Sequence, residues 1–163
     1  MRLVPRLAPL RDLSVLLPAS LFVIQASIAD DGSHLAGVTL LPRYMTECVA
    51  CHLAYPPGLL PAGAWQRVMS NLSRHYGTDV SLDSAAVKKL STWLSANAAT
   101  SRSPRDAPPE DRITRSAWFI HQHDEVPAAT RKRPAIKSAS NCIACHTGAD
   151  QGDFNERNVR IPR

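Results

Sequence analysis

Every cysteine in this chain sits in one of two five-residue motifs, Cys48-Val-Ala-Cys51-His52 and Cys142-Ile-Ala-Cys145-His146. Four cysteines in a small chain ordinarily form two disulfides, but bridges across such short loops are strained and leave both histidines unexplained. A zinc site built from two C-x-x-C halves is a second reading, yet about 90 residues separate the pairs, far beyond the spacing of zinc ribbons. A thioredoxin-like redox pair needs a βαβ context that neither motif has. The arrangement fits c-type haem attachment, in which two thiols on one turn add to the haem vinyl groups and the adjacent imidazole lies under the iron. Two covalently bound haem c groups are therefore expected. Cys48, Cys51, Cys142 and Cys145 attach them, and His52 and His146 are the proximal iron ligands.

Covalent haem chemistry belongs outside the cytoplasm, and the start of the chain agrees. Residues 1–29 place Arg2, Arg6 and Arg11 ahead of the apolar stretch Leu13 to Ile24 and end in small residues around Ser27-Ile28-Ala29, as a cleavable secretory signal does. That stretch is about 12 residues long and broken by Pro18, short of the roughly 20 needed to span a bilayer. Cleavage after Ala29 and a periplasmic location are expected. The formal charge of +5 includes this leader, and losing three arginines and Asp12 brings it to +3 before four haem propionates are counted. No dense basic face is left, which excludes nucleic acid as a partner. With 44% hydrophobic residues, disorder as the main state is excluded too.

What faces each iron from the other side sets the function: methionine gives a high-potential carrier, a second histidine a lower-potential one, and an open position a gas-binding or catalytic haem. The candidates are His34, His75, His121, His123, Met45 and Met69. Residues 64–76 read as an amphipathic helix in which Trp65, Val68, Met69, Leu72 and His75 recur at three- and four-residue spacing, with Gly77 as the stop. A histidine on an apolar stripe is ordinarily a core residue, but an iron in the same half of the chain makes His75 the candidate distal ligand. Met69 is the runner-up and otherwise core filler. A shorter helix from Thr114, as N-cap, to Asp124 offers His121 and His123 on different faces, and periodicity does not choose between them. His34 reads as a solvated N-terminal residue, and Met45 as packing too close to its own motif to reach the opposite haem face.

The rest of the chain divides into an N-terminal haem lobe (30–99), a proline-bearing linker (100–111) and a C-terminal haem lobe (112–163). Residues 30–44 are expected to be extended, the first motif to open a short helix, and a third helix to run over about 83–98 with Ala86, Val87, Leu90, Trp93 and Leu94 on one side. Arg131-Lys132-Arg133 reads as a basic loop able to steer an acidic partner. The second motif follows a cap at Ser140 or Asn141, and Gly148 to Arg163 as a polar tail over the surface. With no strand-like alternation of useful length, the fold class is mainly α with extensive loops, one haem per lobe.

Taken together, the residues resemble the DHC-type dihaem cytochromes c of bacteria. The resemblance is carried by Cys48-Val-Ala-Cys51-His52 running into Leu53-Ala-Tyr-Pro-Pro-Gly-Leu-Leu-Pro61, by Trp65 and Leu72-Ser-Arg-His75-Tyr-Gly77, and by Arg112-Ile-Thr114, Trp118-Phe119, His123 and Asn141-Cys-Ile-Ala-Cys-His146. It implies bis-histidine, low-spin haems and electron transfer, with His75 as the distal ligand in the first half and His123, rather than His121, in the second; nearness in sequence pairs His75 with haem 1 and His123 with haem 2, a crossed pairing being the alternative. It also implies redox partners, a membrane cytochrome b and a small oxygen-binding cytochrome c. The expected function is a monomeric periplasmic electron carrier, not an enzyme. The alternatives are the small dihaem subunit of a periplasmic reductase, or an enzyme or gas-binding protein with one five-coordinate haem.

Overall fold

The computed structural model describes residues 38–100 and 107–163. The leader, His34 and residues 101–106 of the linker lie outside the described residues.

Three helices frame the first lobe. Helix α1, Pro42–Cys48, starts with proline at its first position, where the missing N–H costs nothing, and is braced by an Arg43–Glu47 ion pair of 2.7 Å one turn apart. It ends at Cys48, so the first motif closes a helix rather than opening one, and residues 49–52 turn away from it. The expected extended stretch stops at Leu41. Helix α2, Ala62–Ser70, follows the Pro56-Pro57-Gly58 turn and buries Ala64, Trp65 and Met69 along one face. The Trp65 indole N–H donates to the Pro57 carbonyl at 2.7 Å, which satisfies the one polar group that ring brings inside. Helix α3, Ser84–Ala96, is capped by the Asp83 carboxylate, which accepts from the Ala86 N–H at 2.8 Å. Ala86, Leu90 and Leu94 recur every fourth residue and are buried against α2.

The single helix expected over 64–76 is interrupted. It ends at Ser70, a 3₁₀ turn spans Leu72–Arg74, and the left-handed backbone of Tyr76 and Gly77, φ 50° and 100°, reverses the chain. The reversal is held by Thr78 N–H donating to the His75 carbonyl and Val80 N–H to that of Leu72, both at 3.0 Å. His75 thus projects from a turn and not from a helix.

The second lobe is mostly turns. Its entry, residues 107–113, is tied to the first lobe. Arg67 forms an ion pair with Asp111 at 2.6 Å, the Tyr76 hydroxyl donates to the Glu110 and Asp111 carbonyls, and the Arg112 guanidinium lies 4.2 Å over the Tyr76 ring. Helix α4, Ala117–Gln122, is capped by Ser116, whose hydroxyl accepts from the Phe119 N–H at 3.0 Å. Thr114, the expected cap, lies in the preceding 3₁₀ turn; Ser116 directly precedes the helix, which puts its hydroxyl within reach of the amide of the third helical residue, Phe119. Helix α5, Ala128–Arg131, takes in the first residue of the basic run. Arg133 donates to the Pro162 carbonyl at 2.8 Å, so this run also holds the tail. The second motif forms a 3₁₀ turn, Cys142–Ala144; Asn141 precedes it without capping it and instead donates to the Ile136 carbonyl at 3.0 Å.

The tail is not a polar wrap over the surface. Val159 bridges to His146, and the Arg160 N–H donates to the Cys145 carbonyl at 2.9 Å, so the last residues pack back on the second motif. Such isolated bridges are the only strand-like pairing among the described residues, and the architecture is mainly helical.

Candidate functional site

Each C-x-x-C-H motif lines its own cleft. The first, about 380 Å³, is walled by Cys48, Cys51, His52, Tyr55 and His75, with Leu60, Trp65, Met69, Leu90 and Leu94 of the core at its back. The second, about 570 Å³, is lined by Cys142, Cys145, His146 and His123 together with Phe119, Ile136, Phe154, Val159 and Ile161. Apolar walls with a few converging nitrogens and thiols suit a large planar organic cofactor bound through a metal. The tail residues Phe154, Val159 and Ile161 were absent from the expected site, and no regular spacing in their polar segment marks them.

Four histidines are brought together in two pairs. The His52 and His75 rings have centroids 6.2 Å apart and lie within 24° of parallel. The His123 and His146 centroids are 6.0 Å apart, with the rings inclined at 69°. A metal-bound imidazole nitrogen lies about 2 Å from the metal and about 1 Å outside its ring centroid, so two rings on opposite sides of one metal have centroids about 6 Å apart. Both pairs fit that span. His121 lines the same cleft as His123 but is exposed, and Met69 is buried within the core of the first lobe. Met45 packs against that core from α1.

Neighbouring carbonyls orient two of these rings. His52 Nδ1 lies 2.6 Å from the Leu53 carbonyl and His123 Nδ1 2.9 Å from that of Phe119. A carbonyl only accepts, so Nδ1 carries the proton and Nε2 keeps its lone pair for a metal. The Phe119 ring stacks on His123 at 4.1 Å and limits its rotation.

The thiols are not gathered for zinc. Among the described residues no group of three or more His, Cys, Asp or Glu converges on one centre, and none of the four cysteines is in a disulfide. Burial, with the Glu47 carboxylate nearby, pushes the Cys48 thiol up to about 11, and burial pushes Cys142 to about 11.

Burial also holds the imidazoles of His75, His123 and His146 below the ordinary histidine value. For His75 the neighbouring His52 and Arg112 add to the effect; for His123 the Phe119 carbonyl opposes it and Arg131 adds to it; for His146 the His123 ring adds and Asp153 opposes. Binding to a metal needs the neutral ring, and burial favours that form in all three.

The sequence of residues 44–154 matches the family model described as dihaem cytochrome c. The chain belongs to this family. A dihaem cytochrome c from Shewanella baltica OS155, of known crystal structure, is 37% identical over 74% of this chain and 92% of its own, with a TM-score of 0.65. Two structures of dihaem cytochrome c from Rhodobacter sphaeroides are 42% and 43% identical. They cover 72% of this chain and 98% and 99% of their own, with TM-scores of 0.63 and 0.62. The search of curated proteins returned no match. As a dihaem cytochrome c the protein is an electron-transfer protein with two haem c groups, and its two clefts, each carrying one C-x-x-C-H motif, are where they fit.

Proposed function

We propose that this dihaem cytochrome c is a periplasmic electron shuttle whose irons are both bis-histidine ligated, His52 with His75 and His146 with His123. The observation that carries the reading is the facing of each motif histidine by a second histidine across its cleft, at 6.2 and 6.0 Å between ring centroids. Each haem supplies one-electron redox chemistry when bound. The chain's residues would hold it there: the cysteines would tether it, and the two imidazoles of each cleft would bind its iron and leave no open position for a substrate. The Leu53 and Phe119 carbonyls fix the tautomers of His52 and His123, and burial keeps the distal rings neutral and able to ligate.

The donor in this reading is a membrane protein such as a cytochrome b, and the acceptor a small soluble haem protein. The shuttle acts as a monomer released by cleavage after Ala29. No helix among the described residues is long and apolar enough to cross a membrane. Half-buried Arg131 lines the second cleft and exposed Lys132 follows it in sequence, which supplies positive charge on that side for an acidic partner.

Spectra of the oxidised protein test the ligation. Low-spin signals alone, slow or absent CO binding after reduction, and uptake of two electrons per chain are expected. A high-spin component that binds CO rapidly assigns an open iron and overturns the shuttle reading for that site.

A further inference from the structure

Tyr55 lies four residues past Cys51 and touches both halves of the molecule. Its ring stacks on His52 at 4.8 Å and 19°, nearly parallel to the proximal imidazole of the first site. Its hydroxyl donates to the carbonyl of Ser140 at 2.7 Å, across 85 residues of sequence. Ser140 stands two residues before Cys142, and both residues line the first cleft, while Cys142 also lines the second. Tyr55 is anchored in turn, because the hydroxyl of buried Tyr44 donates to its backbone carbonyl at 2.9 Å.

We propose that Tyr55 is a positioning residue that seats the second haem-attachment segment on the first haem site and so sets the separation of the two haems. The proposal takes from the preceding reading that His52 is a ligand and that Cys142 attaches the second haem. The Ser140 carbonyl has two donors near it in the unattached chain, the Tyr55 hydroxyl and, at 3.7 Å, the Cys142 thiol. Addition of that thiol to a haem vinyl group moves its proton to the vinyl carbon and leaves a thioether sulfur with nothing to donate. Of the two, Tyr55 is then the donor that continues to hold Ser140. One side chain thereby fixes the plane of a ligand in one site and the approach of the tether in the other.

Two variants of the haem-loaded protein separate the hydroxyl from the ring. Tyr55→Phe keeps the stack and loses the hydrogen bond. Amide exchange over residues 138–146 should quicken about tenfold, as the loss of one such bond implies. Electron exchange between the two irons should slow, and the electron paramagnetic signal of the first site should stay as in the parent. Tyr55→Leu loses the stack as well and should also shift that first signal. Unchanged exchange over 138–146 in Tyr55→Phe, or an unchanged first-site signal in Tyr55→Leu, overturns the proposal. Low-spin spectra retained in both variants show that ligation is intact. A high-spin first site in the parent protein strikes instead at the ligand reading.

Discussion

Replacing His123 with alanine should turn one of the two haems high-spin and open it to CO, whereas His121→Ala should leave both low-spin. The two residues are neighbours and line the same cleft, so the contrast isolates geometry from proximity. His123 follows the last residue of α4, half-buried under the Phe119 ring, with Nδ1 engaged by a carbonyl and its centroid 6.0 Å from that of His146. His121 is exposed and makes no such pairing. Removing a donor imidazole disfavours the ferric state, so the affected midpoint potential should rise on the order of 0.1 V within the roughly 0.8 V that axial ligation spans. His75→Ala should do the same at the first haem. Met69 lines the same cleft from the core, so low-spin iron retained in His75→Ala would point to it as the substitute. Low-spin iron in His123→Ala with high-spin iron in His121→Ala reverses the assignment.

How much of this was legible in the sequence depended on whether local chemistry or distant packing decided each element. Helix α3 was legible almost to its ends, because Asp83 is a strong cap and Ala86, Leu90 and Leu94 repeat at helical spacing. The haem motifs were legible because their function lies in contiguous residues. The end of α2 was not: the apolar spacing runs on through Leu72 to His75, while the chain actually breaks at Asn71 and is turned by Tyr76 and Gly77 in left-handed conformations. His75 still comes within 6.2 Å of His52 between ring centroids, so the residue singled out sits on a turn where a helix was expected. The motifs adopt turns rather than helices because few core contacts support a helix there, and Val49 and Ile143 inside them are exposed. Least legible was the tail, where Phe154, Val159 and Ile161 form a wall of the second cleft; contacts with a motif some ten residues or more upstream leave no periodic trace.

The second large effect should follow from removing the second haem. With Cys142 and Cys145 both changed to serine, residues 114–160 should lose amide protection, while α2 and α3 keep much of theirs. The lobes differ in what remains when a cleft is empty. The first retains a contiguous cluster, Tyr44, Ala54, Leu60, Ala64, Trp65, Met69, Leu90 and Leu94, and a helix pair packed face to face. The second buries only scattered side chains, such as Phe119, Ile136 and Ala149, around a 570 Å³ cleft. The haem is thus the missing core of the second lobe, and folding and cofactor binding are one transition there. The same reasoning leaves the fully haem-free chain with structure confined to its first lobe, and with a reduced helical signal by circular dichroism. Retained protection over 114–160 in the double serine variant would show that the second lobe has a core of its own.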